Sequence, residues 1–213
     1  MAAIKNDAGG KFPVLAEEGV HVEGGPSWAE VVSKRGKARR QGGINFKQGR
    51  VNKGKKGRDF SFELLADSHG RGLSNLLSGA VVTFKPGAKM ERVVEGAGVE
   101  GMSCTVIMGG TNDVSVYGVK KGLSDLRERL EDNRRVVVVG VPPRHDDPEG
   151  IPNVHEIIKR KNEFLRDFCD FHGWTFLSID DSEKHFFTRH GLHYNVTGKR
   201  WLAKKIQTAV NFL

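Results

Sequence analysis

The stretch FELLADSHGRGLSNLL, residues 62–77, decides the fold. An apolar run closes at Asp67-Ser68-His69, glycines follow at Gly70 and Gly72, and apolar residues at helical spacing come next. A strand that breaks sharply into a helix at a serine is how several hydrolases expose a nucleophile. A serine at such a corner also caps helices in ordinary α/β proteins, where its hydroxyl accepts a free backbone N–H. The pattern predicts a strand over 61–67 and a helix from Ser68 to about Ser78.

The same alternation continues downstream. AVVTF (80–84) reads as a strand, and a helix follows the Pro86-Gly87 corner. SCTVIMGG (103–110) is a third strand, and Val119, Leu123, Leu126 and Leu130 then recur at helical spacing. RRVVVVGVPP (134–143) is continuously apolar, which suits a parallel sheet covered on both faces. A long helix is predicted over 153–173 with Ile157, Phe164, Leu165 and Phe168 on one side. A fifth strand over 174–180 and a closing helix carrying Trp201, Leu202, Ile206 and Val210 complete the pattern. Five strands alternating with helices give an α/β three-layer sandwich on a five-stranded parallel sheet. Right-handed crossovers favour the flavodoxin-like order 2-1-3-4-5.

In such sheets working groups gather at the carboxyl ends of the strands. Asp67-Ser68, Pro86-Gly87, Gly110-Thr111-Asn112-Asp113 and Pro142-Pro143-Arg144-His145 stand after the first four. The fifth leads to a loop holding His185, His190 and His193.

Residues 1–58 read differently, as a disordered basic arm ahead of a domain over 59–213. The net charge of the 213-residue chain is +8. Its basicity is concentrated in Lys34, Arg35, Lys37, Arg39, Arg40, Lys47, Arg50, Lys53, Lys55, Lys56 and Arg58, with no acid between them. The rest of the chain is net negative, so these cations mark a nucleic-acid-binding segment for RNA or DNA, each neutralising phosphate. Within the arm, PSWAEVVSK (26–34) has capping-box spacing at Ser27 and Glu30. No apolar run is long enough for a membrane span, and the first residues lack the apolar stretch of a signal peptide. The expectation is an intracellular protein, cytoplasmic or nuclear. Cys104 and Cys169 fall in apolar patterns and read as core residues. The His190-x-x-His193 pair lacks a cysteine or acid to complete a usual ligand set, so no metal and no cofactor are expected.

Four of these rim segments resemble the motifs of the SGNH (GDSL-like) hydrolases. They are Ala66-Asp67-Ser68-His69, Gly87, Gly110-Thr111-Asn112-Asp113 and His190-Gly191-Leu192-His193, in the family's order over residues 61–213. The combination DSHGRGL, PGA, GTNDV and GLHYNVTGK looks most like the esterase-like domains in first-open-reading-frame proteins of LINE-type retrotransposons. Those proteins carry basic nucleic-acid-binding regions ahead of the domain.

The resemblance implies a serine esterase for an acyl-ester or lipid-like substrate. Ser68 is its nucleophile and His193 the base. The oxyanion donors are the Ser68 and Gly87 backbone N–H groups and the Asn112 side-chain amide. Asp67 and Asp113 support the site. The departure lies at His190, which stands where the family has the triad aspartate. Neutralising the corresponding acid in a serine protease costs roughly 10⁴-fold in rate. Asp180, Asp181 or a backbone carbonyl are alternative partners for His193. The alternative function is a catalytically impaired SGNH-fold module that acts as an RNA- or DNA-binding or interaction protein.

Overall fold

The computed structural model describes residues 61–130, 134–146 and 153–212. The basic segment 34–58 and the remainder of the 1–58 arm lie outside the described residues. Strands β1 (Phe62–Ala66), β2 (Ala80–Phe84), β3 (Cys104–Met108), β4 (Arg135–Val139) and β5 (Thr175–Leu177) form one parallel sheet in the order β2-β1-β3-β4-β5. This is the expected order. Helices α1 (Met90–Val93), α2 (Val116–Arg129), α3 (Val154–His172) and α4 (Val196–Asn211) complete the layers.

Alternate side chains of a strand face opposite sides of the sheet, and here each side has its own core. On one side Leu65, Ile107, Val136 and Val138 pack against Met90, Val93, Leu123, Leu126, Leu165 and Phe168 of α1, α2 and α3. On the other, Phe62, Leu64, Val106 and Val137 meet Leu202, Ile206 and Val210 of α4. The central strands β1 and β3 are buried throughout. Cys104 and Cys169 are free thiols, one in each core. Burial pushes their thiols up to about 11 and about 12, well away from reactive thiolate.

One predicted element differs. Instead of a helix over 68–78, two 3₁₀ turns occupy Ser68–Gly70 and Leu73–Asn75. Gly72, at φ 81°, separates them in the left-handed region, which a continuing right-handed helix cannot contain. Leu73 and Leu77 still reach the core, so the apolar spacing that suggested a helix is satisfied by turns. Gly70 lies against the sheet, where an added Cβ would meet the Ala66 Cβ at 2.5 Å. The first strand therefore delivers Ser68 on a tight corner, with no long helix behind it.

Candidate active site

Ser68 follows β1 directly and is half-buried. The loop before α4 brings His193 across 125 residues of sequence, and its Nε2 lies 3.1 Å from Ser68 Oγ. That is hydrogen-bond distance for a hydroxyl and an imidazole nitrogen. His193 itself is exposed. Its imidazolium is disfavoured, first by desolvation and then by positive charge at His69, so its pKa falls below the ordinary histidine value. The shift favours the neutral ring, which has a lone pair to accept a hydrogen bond.

Gly87 forms the corner after β2. Ala88 N donates to Lys85 O at 3.1 Å, and Gly87 has φ 72° behind Pro86. This is a type II arrangement, in which the third residue needs positive φ. Asn112 donates from Nδ2 to Ala88 O at 3.0 Å, tying the loop after β3 to that corner. Among the described residues, no hydrogen bond engages the Ser68 or Gly87 backbone N–H. Both remain available to an anion, and so does the second Nδ2 hydrogen of Asn112.

The two aspartates support the rim from within. Asp67 is fully buried, and its Oδ1 accepts from His69 N at 2.9 Å and faces His69 Nδ1 at 2.9 Å. Burial alone would raise this carboxyl, but the charge and hydrogen bonds of His69 outweigh it and hold Asp67 below its usual value. Asp113 Oδ2 accepts Met90 N at 2.9 Å. Burial prevails there and raises the carboxyl, against Met90 and Lys161.

Residues that the motifs did not single out hold these loops. Lys161 of α3 is 3% exposed and donates from Nζ to Gly110 O at 2.9 Å and to Asp113 O. Burial lowers its pKa to about 8. The next residue, Asn162, accepts Val141 N at 2.7 Å and donates to Val141 O at 3.0 Å, fixing the chain after β4. One buried turn of α3 thus fastens the exits of two strands. A sequence signal existed: Lys161 stands in the buried register Val154, Ile158, Lys161, Leu165, Phe168, at spacings of four and three. A lysine in an apolar stripe needs a local partner for its charge. Lys161→Met is expected to leave two carbonyls without that donor, a cost of about 1–3 kcal/mol. Removal of a buried ammonium offsets part of it. Slower serine labelling with a modest change in melting temperature is the expected outcome.

The histidine loop separates its members. His190 is exposed, and among the described residues no hydrogen bond or ring contact joins it to His193. No described hydrogen bond reaches His193 Nδ1 either. Asp180 contacts Asn162 Nδ2 at 3.2 Å and Arg166 at 3.9 Å, and Asp181 pairs with Lys205 at 2.6 Å. A further carboxylate, Asp146, is held by Arg144. Burial would raise Asp146, but the Arg144 hydrogen bond and charge prevail, and His193 adds to the lowering. The two segments meet where His145 N donates to Gly191 O at 3.0 Å. His190→Ala is expected to leave the rate of serine labelling within about threefold, since surface substitutions outside a network rarely exceed about 0.5 kcal/mol.

Two concavities lie elsewhere, one of about 70 Å³ bordered by Arg127 and Trp174 and one of about 330 Å³ bordered by Leu76 and Arg200. Neither is lined by Ser68 or His193. Among the described residues, no cluster of three or more metal-ligating side chains occurs, and no helix is long and apolar enough to cross a membrane.

No protein-family model matches the sequence, and no curated protein does. Solved structures match in shape. A proposed acylhydrolase from Bacteroides fragilis is 16% identical, with 76% of this chain and 91% of that chain covered at a TM-score of 0.64. A member of the lipolytic G-D-S-L family from Veillonella parvula is 18% identical over 72% of this chain and 99% of that one, with a TM-score of 0.56. The esterase domain of the zebrafish ZfL2-1 retrotransposon ORF1 protein is 20% identical over 72% and 99%, but its TM-score of 0.39 is too low to bear on the fold. With its parallel sheet of order 2-1-3-4-5, the described chain therefore has the α/β fold of the SGNH acylhydrolases.

Proposed function

We propose that this domain hydrolyses carboxylic esters through an acyl-enzyme on Ser68. The observation that carries the reading is the 3.1 Å separation of Ser68 Oγ and His193 Nε2 at the carboxyl edge of the sheet. His193 takes the hydroxyl proton as Oγ bonds to the ester carbonyl carbon. Negative charge then develops on the carbonyl oxygen, where the Ser68 and Gly87 N–H groups and the Asn112 amide are the available donors. Collapse expels the alcohol oxygen, which leaves with the proton from His193. Water, deprotonated by the same ring, attacks the acyl carbon; the bond from that carbon to Oγ then breaks, His193 returns its proton to Oγ, and the acid leaves.

His190 occupies the family's acid position without touching His193, so it receives no role in this proton path. Asp67 and Asp113 shape the rim without entering the chemistry. A fluorophosphonate probe tests the reading directly, because it bonds only to an activated serine. Labelling that is lost in Ser68→Ala supports it, and a parent protein that never labels removes it.

A second reading concerns residues 34–58 and is carried by eleven cations with no intervening acid. They bind RNA or DNA by neutralising phosphates, as the resemblance to retrotransposon proteins also implies. Such binding weakens with salt, with a log–log slope of roughly −0.7 to −0.9 per phosphate contacted. Deleting 34–58 should abolish both affinity and slope on a labelled oligonucleotide. Equal binding by the shortened chain rules this reading out.

A further inference from the structure

His69 faces two oxygen acceptors and lies 2% exposed between them. Its Nδ1 is 2.9 Å from Asp67 Oδ1, and its Nε2 is 3.0 Å from the carbonyl oxygen of Leu192. A carbonyl oxygen only accepts, and so does an ionised carboxylate. A neutral imidazole has one N–H, so beside an ionised Asp67 one of its nitrogens would turn a lone pair toward an oxygen lone pair. Beside an ionised Asp67, both contacts are hydrogen bonds only when both nitrogens carry protons. Asp67 Oδ1 also accepts the His69 backbone N–H at 2.9 Å, which favours the anion and leaves the shared proton on the ring.

We propose that His69 is held as a buried imidazolium that staples the serine corner to the loop carrying His193, making it the positioning residue of the Ser68–His193 pair. The staple ends on Leu192, the residue before the base, and the two imidazole rings are 5.4 Å apart. The role in catalysis rests on the hydrolase reading above; the charge state does not. Groups facing His69 from other elements are Arg144 after β4, and His193 and Tyr194, whose ring lies edge-on at 5.8 Å. Burial and Arg144 oppose the charge, while Asp67 and the Leu192 carbonyl prevail and raise the histidine above its ordinary value.

Two consequences follow. A raised histidine contributes stability that is fully present below its ordinary value of 6.5 and lost as pH rises through the folded value. The depressed Asp67 contributes stability that is present above 3.8 and lost as pH falls through its folded value. The pair therefore stabilises between those limits, and deprotonating His69 releases Leu192. The second consequence concerns the base: the His69 charge helps to keep His193 neutral as pH falls, whereas at higher pH the loss of that charge acts on His193 only through the freed Leu192.

The test uses the full chain labelled with ¹⁵N. Ring-nitrogen spectra near neutral pH should show His69 protonated at both nitrogens and His193 neutral. A neutral His69 with one bare nitrogen, including the form with a protonated Asp67, overturns the proposal. His69→Gln keeps an amide donor for Leu192 without the charge. It should raise the His193 titration, remove the alkaline fall in fluorophosphonate labelling, and slow labelling roughly ten- to hundredfold, the scale of a misplaced catalytic group. An unchanged His193 titration and an unchanged pH profile overturn it. If the parent does not label, the hydrolase reading fails alone and the His193 titration still decides the staple. If His69→Gln does not fold, the parent spectra decide, because His193 must show a second inflection where His69 titrates.

Discussion

Ser68→Ala is expected to abolish fluorophosphonate labelling and to lower hydrolysis of short p-nitrophenyl esters by roughly 10⁴–10⁶-fold, the range seen when a nucleophile that acts with its base is removed. The chain should remain as stable as the parent. Ser68 is half-buried, its backbone N–H engages no described group, and its side chain bonds only the exposed His193. No cavity of consequence and no buried orphan is created. This separation of activity from stability makes the experiment decisive: equal ester turnover by the alanine protein removes the acyl-enzyme. Equal loss of folding would instead show that the corner depends on the hydroxyl.

Gly191→Ala is expected to act in the opposite way, through structure first. Gly191 has φ 73°, which costs a residue with a Cβ about 1–2 kcal/mol. An added Cβ would stand 2.3 Å from the His145 carbonyl carbon, 2.4 Å from its oxygen and 2.6 Å from Asp146 N. All three are backbone atoms, so the strand-exit segment must move. Overpacking of this kind adds about 1–3 kcal/mol, for a total of about 2–5 kcal/mol in urea unfolding. The displacement also breaks the His145 N–Gly191 O bond and shifts Leu192 and His193, the next two residues. Labelling of Ser68 should fall even at temperatures where the protein stays folded. A variant with parental stability and labelling would mean that this close approach is absent in solution.

The sheet was legible because each strand announces itself locally. Continuous apolar runs such as Val136–Val139 specify central strands with two covered faces, and crossover handedness then leaves few orders. Residues 68–78 depart from a helix for an equally local reason. Helical spacing of Leu73 and Leu77 is also met by two short turns, and Gly72 permits the break.

The serine–histidine pairing was legible only through motif resemblance, since 125 residues separate the two. The residues that place the pair left weaker traces. Lys161 was visible as a misfit in an apolar stripe. His69 was not, because its role comes from a contact between distant loops: it reaches Leu192 over 123 residues. The three-residue spacing of His190 and His193 suggested a pair, yet the loop turns at Gly191 and leaves the first ring in solvent.

The two cysteines have a practical corollary. The whole sequence contains no others, and each is sealed in a different core with its thiol held far from ionisation. The native protein therefore offers alkylating reagents almost nothing to react with. Ser68→Cys would place an accessible thiol beside His193, so thiol alkylation by iodoacetamide would report on that corner. Its uptake against pH would chart the imidazole's influence without needing any ester to be identified.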